Sequence, residues 1–241
     1  MRIYALTAAY NEESTIVGVI EDELKHVDKV IFVNDGSTDR TLEKVQSRFS
    51  RNKNVEIISW DSNKGKGYAL IQGFKKFLNS DGDILVTLDG DGQHDASQMS
   101  SVILPIEKHL SDVVVGARIL TESPSRIRIF FNAIVNIVML LTTGSLFVDV
   151  SSGFRAYSRN TIKKILPYLS FYDFAIEPQI LRACVLNKLK FATISINVNY
   201  KKGRKSNIWR LARSYIRYTW KYKGDIIRKI VGRKVIKTIQ Q

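Results

Sequence analysis

Along the first 117 residues, apolar stretches of strand length alternate with segments whose apolar residues recur at helical spacing. The runs Ile3 to Ala8, Val30 to Asn34, Val55 to Ser59, Ile84 to Asp89 and Val113 to Ala117 predict five strands. Segments 13–25, 40–50, 66–78 and 97–110 predict the helices between them. Strands rich in Val and Ile that alternate with helices fold as right-handed β-α-β units on a mostly parallel sheet. Such sheets take ligands at the carboxyl ends of their strands, so the residues after each run are the first candidates for chemistry.

The pattern changes after residue 118. Residues 129–148 carry no charge and have the length of a membrane span. Asn132 and Asn136 lie four apart on one face, Arg128 precedes them, and Thr142-Thr143-Gly144-Ser145 breaks the run. A helix lying in the membrane interface fits that pattern better than a spanning one, and a buried hairpin is the alternative. From Asn207 onward the chain again reads as helical. Arg210, Arg213, Arg217 and Lys221 line one face, and Trp209, Tyr215, Tyr218, Trp220 and Tyr222 are interleaved. Aromatic rings beside cations suit a lipid headgroup layer. A solvated charged helix and a nucleic-acid arm are the competing readings.

Composition narrows the class. With 241 residues, 44% hydrophobic and 25% charged, the chain is globular rather than disordered or collagen-like. The single cysteine, Cys184, has no partner for a disulfide or a zinc cluster, which predicts a reducing compartment. Only a short apolar stretch precedes Glu12-Glu13, so no secretory signal is expected. The charge is lopsided: residues 201–241 hold 14 of the 37 Lys and Arg and one acid, Asp225. A block of that kind implies a polyanionic partner, either an anionic membrane surface or nucleic acid.

The strand ends carry the candidate chemistry. Asp89-Gly90-Asp91 follows a buried run and sets two carboxylates around one small residue. That suits a hard divalent cation which fills its other positions with water and phosphate. Asn34-Asp35-Gly36-Ser37-Thr38-Asp39 follows another strand and opens a helix, where Thr38 or Asp39 serves as an N-cap and Asp35 as an acceptor for a base or ribose.

With these segments in place the chain resembles a family 2 glycosyltransferase of the GT-A fold, most similar to dolichyl-phosphate mannose or glucose synthases and their bacterial polyprenyl-phosphate relatives. The matching segments are Ala9 to Glu13, Val33 to Asp39, Asn63-Lys64-Gly65-Lys66-Gly67, Leu88 to Asp95, Gly116-Ala117-Arg118 and Ser152 to Tyr157. The resemblance implies a catalytic domain over residues 1–206, with interfacial acceptor-site helices at 124–148, and basic amphipathic helices over 207–241. It implies that Ala9, Tyr10, Asn11, Glu12, Asp35, Lys66, Asp89 and Gly90 line the donor nucleotide, and that Asp89, Asp91 and Gln93 bind Mg²⁺ or Mn²⁺. Arg118, Arg128 and Asn132 would grip the acceptor phosphate together with Lys202, Arg204 and Lys205, whose loop also closes over the pyrophosphate. Asp89, Asp91 and Arg118 are the expected catalytic set. Glu177 falls where relatives often carry an acid, and a buried acid bonded to backbone is an equal reading; Arg155 is equally a structural ion-pair partner. Mannose-type relatives carry Asp-Ala-Asp-Leu-Gln-His-Pro where this chain has Asp89 to Asp95 as Asp-Gly-Asp-Gly-Gln-His-Asp, a departure that argues against mannose.

Elementary acid–base chemistry favours a lipid phosphate as acceptor. A sugar hydroxyl needs a positioned base, whereas a phosphate monoester, with a second pKa of about 6, is already mostly dianionic at neutral pH. The expected activity is metal-dependent, inverting transfer of one sugar, from UDP-glucose or GDP-mannose, to a dolichyl or undecaprenyl phosphate. The enzyme would sit peripherally on the cytoplasmic face of a membrane, alone, as a homo-oligomer or with a membrane partner protein. The alternatives are a soluble family 2 glycosyltransferase acting on a glycan hydroxyl, and a nonenzymatic nucleic-acid binder.

Overall fold

The computed structural model describes residues 1–118, 126–199 and 208–227, with backbone alone for 126–132 and 208. Seven strands form one mixed sheet in the order β3-β2-β1-β4-β6-β5-β7. The five expected strands are present as β1 (Ile3–Ala9), β2 (Lys29–Asn34), β3 (Val55–Ser59), β4 (Ile84–Asp89) and β5 (Val113–Arg118). The four helices between them are α1 (Ile16–Glu23), α2 (Thr41–Phe49), α3 (Lys66–Leu78) and α4 (Met99–Glu107). Each packs an apolar stripe on the sheet, with Ile16, Ile20, Val45, Phe49, Val102 and Ile106 under one face and Leu70, Phe74 and Phe77 under the other. Burial of such side chains, at roughly 1.5–3 kcal/mol each, is what holds helix to sheet.

Two strands have no counterpart in the pattern-based reading. β6 (Arg155–Ser158) enters antiparallel between β4 and β5, pairing Val86 with Ala156 and Val114 with Ala156. β7 (Phe191–Ile196) pairs in parallel with β5 at the sheet edge. Residues 126–143 form α5, which ends at the expected break where Gly144 turns with φ +81°. The helix is single rather than a hairpin, and Val135 and Met139 bury one face while Ile134 and Ile137 stay exposed. No helix among the described residues is long and apolar enough to cross a membrane. α6 (Arg159–Ile165) and α7 (Ile176–Leu186) cover the sheet, and Cys184 on α7 is fully buried, its thiol pushed up to about 12 by burial.

α8 (Ile208–Lys221) packs Tyr215 and Tyr218 against Val135, Met139, Phe171 and Leu181. Arg210, Arg213, Arg217 and Lys221 are exposed as the spacing predicts. Trp209, Ile216 and Trp220, spaced seven and four apart, are exposed as well, by 80%, 69% and 71%. A helix that buries one stripe in its own protein and turns a second apolar stripe outward is two-faced, beyond the one-sided pattern of an ordinary surface helix.

Candidate active site

Adjacent strand ends build the floor of the site. The sheet register sets Ala8 beside Asp89 and Ala9 beside Asn34, and the Asp35 N–H donates to the Ala9 carbonyl at 2.9 Å. Ala9, Asp35 and Asp89-Gly90 therefore meet at one edge, as expected for a ligand crossing parallel strands. Tyr10 and Glu12 are half-buried beside them. Asn11, at φ +59°, locks the β1 turn to the β2 turn: its Nδ2 donates to Thr38 Oγ1 at 3.1 Å and its Oδ1 accepts from the Thr38 N–H at 2.8 Å.

Asp35 meets a different arrangement from the one expected. Its Oδ1 accepts from Trp60 Nε1 and the Lys64 N–H, and its Oδ2 from Asn63 Nδ2 and the Gly65 N–H, all at 2.9 Å. A carboxylate has about four acceptor positions, and these four donors fill them. Asp35 thus holds the loop through residues 60–65 in place. The loop runs through Gly65 at φ +100°, where a Cβ would lie 2.2 Å from the Tyr172 carbonyl oxygen, so no other residue fits.

That loop delivers Lys66 into the centre. Its Nζ lies 2.7 Å from Asp89 Oδ1 and 2.6 Å from Glu177 Oε1. Burial pulls Lys66 down, but Asp89 and Glu177 outweigh it and hold the ammonium above its ordinary range. Asp89 sits below the usual carboxylate range: burial pushes it up, but Lys66, His94 and Arg118 together pull it further down. Glu177 lies above its ordinary value, because burial outweighs the Lys66 charge. Glu177 is thus buried against a lysine side chain, an outcome outside the backbone-bonded alternative. The other Asp89 oxygen faces Gly153, where a Cβ would come within 2.6 Å.

The turn after β4 continues the site. Asp91 Oδ1 accepts from the Gln93 N–H at 3.0 Å, and the Gln93 carbonyl accepts from the Asn199 N–H at 2.9 Å. His94 bridges Val198 in antiparallel register. Residues 198–199, which lead toward the basic segment 201–206, therefore lie beside Gln93 and His94. His94 is buried, with its ring edge on Phe154, its Nδ1 without a hydrogen-bond partner and its Nε2 4.0 Å from Asp89 Oδ2. Burial pushes it down to about 4 against the pull of Asp89, so it is neutral at physiological pH.

Arg118, at the end of β5, is clamped by Asp149, which accepts from Nε at 2.7 Å and from Nη2 at 2.8 Å, and by Ser151 Oγ at 2.6 Å. Paired forks of this kind fix the guanidinium plane. Arg155 is fully buried and donates to the carbonyls of Ser152, Glu177 and Val150, so the bonds that hold it are to backbone oxygens and not those of the expected ion pair. Asp149 is a site residue that the sequence pattern passed over. It closes an apolar run and lies 31 positions from its arginine, so no local spacing reveals it. Of the remaining expected residues, Arg128 and Asn132 lie on the first turns of α5, where backbone alone is described. Lys202, Arg204 and Lys205 fall outside the described residues.

Asp89 and Asp91 offer hard oxygen donors on one turn. No cluster of three His, Cys, Asp or Glu that would hold a metal by itself occurs among the described residues. Two carboxylates without a full cage fit Mg²⁺ or Mn²⁺ shared with a diphosphate, and they fit poorly to a structural metal.

Comparison with known proteins agrees with this geometry. The family model described as "Glycosyl transferase family 2" matches residues 4–166. A relative from Methanococcus voltae, named UDP-N-acetylglucosamine--dolichyl-phosphate N-acetylglucosaminyltransferase, is 31% identical over 226 residues, covering 86% of this chain and 90% of its own. A Trichomonas vaginalis dolichyl-phosphate beta-glucosyltransferase is 26% identical, covering 84% of this chain and 67% of its own. Among solved structures, the mannosyltransferase PcManGT from Pyrobaculum calidifontis in complex with GDP-Man and Mn²⁺ superposes with a TM-score of 0.59 at 16% identity, over 91% of this chain and 63% of that one. The mixed sheet is the GT-A fold, its strand-end carboxylates lie within the matched span, and the chain belongs to glycosyltransferase family 2.

Proposed function

We propose that this glycosyltransferase moves one sugar, with inversion, from a nucleotide-sugar donor to a polyprenyl phosphate at a membrane surface. The observation that carries this reading is the charge pattern of the site. Lys66 lies 2.7 Å from Asp89, and Arg118 is held at the end of β5 by Asp149 and Ser151. Cations at the site suit an acceptor that arrives already ionised, as a phosphate monoester does, and such an acceptor needs no base to deprotonate it. The names of the Methanococcus and Trichomonas relatives, both dolichyl-phosphate transferases, support the same acceptor class. The Methanococcus name adds UDP-N-acetylglucosamine to UDP-glucose and GDP-mannose as donors to test.

In this reading Ala9, Tyr10, Asn11, Glu12 and Gly90 line the nucleotide, and Asp35 shapes the loop that carries Lys66. Asp89, Asp91 and Gln93 hold Mg²⁺ or Mn²⁺. When bound, the cation neutralises charge on the donor diphosphate and so assists departure of the nucleotide. Arg118, fixed by Asp149 and Ser151, holds the acceptor phosphate in line with the anomeric carbon, together with Arg128, Asn132 and the basic residues Lys202, Arg204 and Lys205. A single displacement inverts the anomeric centre. Orientation on the cytoplasmic face of the bilayer comes from the exposed apolar stripe of α8, the exposed Ile134, Ile137, Leu146 and Val148, and the cations around them.

The test is transfer of radiolabelled sugar from UDP-glucose, UDP-N-acetylglucosamine and GDP-mannose, each alone, into a short-chain polyprenyl phosphate with Mn²⁺ or Mg²⁺ and with EDTA. Label in lipid from one donor, abolished by EDTA and by Asp91→Ala in a variant with native circular dichroism, is the expected result. Label that appears only in a free glycan acceptor overturns the lipid-phosphate reading. Undiminished transfer in EDTA overturns the metal.

A further inference from the structure

One oxygen of the principal metal-binding carboxylate is already engaged by a cation that the protein supplies. Lys66 Nζ lies 2.7 Å from Asp89 Oδ1, and it is tethered from the far side by Glu177 Oε1 at 2.6 Å. The second oxygen of Asp89 lies beside Gly153, where an added Cβ would come within 2.6 Å, and 4.0 Å from His94 Nε2. A divalent ion bound at Asp89 and an ammonium hydrogen-bonded to the same carboxylate would crowd two like charges into one half-buried pocket. Lys66 opens α3, directly after the loop that Asp35 holds with four hydrogen bonds, so its backbone is fixed and its long side chain is the part free to swing.

We propose that Lys66 is a displaceable cation: in the empty site it occupies Asp89, and on donor binding it moves to the diphosphate oxygens while Glu177 keeps it within reach. The proposal rests on the metal and donor assignment above and adds an order of events. Free divalent metal competes with Lys66 and binds weakly. Metal that arrives with a nucleoside diphosphate binds tightly, because the diphosphate gives Lys66 a new anionic partner. Glu177 is then a positioning residue, acting on the metal only through the lysine it holds.

Mn²⁺ affinity without nucleotide, read by electron paramagnetic resonance of free Mn²⁺, tests this in the full chain. The variants are Lys66→Met, Glu177→Gln, the double variant and Asp91→Ala, and the nucleotide probes are UDP and GDP. Lys66→Met should bind free Mn²⁺ at least about tenfold tighter than wild type and bind the Mn²⁺-nucleotide more weakly. Glu177→Gln should weaken free Mn²⁺ binding, and should have no such effect once Lys66 is Met. Lys66→Met strands a buried carboxylate, so if that variant does not fold, the double variant carries the test and should bind Mn²⁺ tighter than wild type. Equal or weaker Mn²⁺ binding after loss of Lys66 overturns the proposal, as does an effect of Glu177→Gln that is the same in both backgrounds. Mn²⁺ binding that survives Asp91→Ala overturns instead the metal site itself.

Discussion

Gly153 has no side chain because Asp89 occupies the space where one would begin. Gly153→Ala places a methyl 2.6 Å from Asp89 Oδ2 and turns the carboxylate out of line. An ångström-scale displacement of a reacting group costs on the order of a hundredfold in rate, so transfer should fall by about that factor while the thermal midpoint moves little. Arg155, two positions on, behaves in the opposite way. Its guanidinium satisfies three buried carbonyls, so Arg155→Met should destabilise the fold by about 3–5 kcal/mol, seen as a thermal midpoint lower by roughly 10 °C. Within one motif, then, a glycine leaves room for the Asp89 carboxylate and an arginine satisfies buried carbonyls. The motif placed both at the site, but the division of labour depends on partners distant in sequence: Lys66 and Glu177 are 111 positions apart, and Arg118 and Asp149 are 31 apart. A periodic pattern carries no information about such pairs. Likewise Asp35, legible as a strand-end carboxylate, owes its saturation to a loop 25–30 residues downstream.

At the level of elements, the five parallel strands were legible because each is an apolar run, buried along most of its length in β1, β2, β4 and β5 and half-buried in the edge strand β3, and their ends could be read as one edge. β6 was not, because Arg155-Ala156-Tyr157-Ser158 is short and half polar, and it is a strand only through β4 and β5 on either side. β7 escaped for a related reason: it is an edge strand, mostly half-exposed or exposed, so no continuous apolar run marks it. α8 was legible as a helix, yet its two apolar stripes emerged only when Tyr215 and Tyr218 were seen to be buried and Trp209, Ile216 and Trp220 exposed. The outward stripe predicts a separation of functions. Ile216→Ser with Trp220→Ser should lower partitioning onto vesicles containing anionic phospholipid by at least about tenfold, since each such side chain contributes roughly 1.5–3 kcal/mol when buried. The thermal midpoint should hold, because both side chains are exposed and neither belongs to a buried cluster. Raised salt should weaken what remains, which is the share carried by Arg210, Arg213 and their neighbours.

Over the whole molecule, stability carries a pH signature set far from the site. Glu23, at the end of α1, is fully buried. Its Oε1 accepts from the Thr7 hydroxyl, and its Oε2 has no partner. Burial, only partly offset by Thr7, raises it from 4.5 to about 8. The folded state therefore holds this proton more tightly than the unfolded chain. Below 4.5 both states are protonated and the residue makes no difference; as pH climbs to about 8 only the unfolded chain gives the proton up, so stability falls across that window and then levels off. Glu23→Gln mimics the protonated form and should gain on the order of 3 kcal/mol over wild type above about pH 8, with no gain below pH 4.5, measured by urea unfolding. The sheet order has a temporal consequence as well. Among the described residues β5 finds strand partners only in β6 and β7, both later in the chain, whereas β3, β2, β1 and β4 are complete once residue 89 exists. During synthesis the edge made by the ends of β1, β2 and β4 can form early. Meanwhile one edge of β4 and both edges of β5 wait for residues 155–196, so a ribosome paused before them displays three unpaired edges at once, the stage at which this chain is most exposed to aggregation and to chaperones.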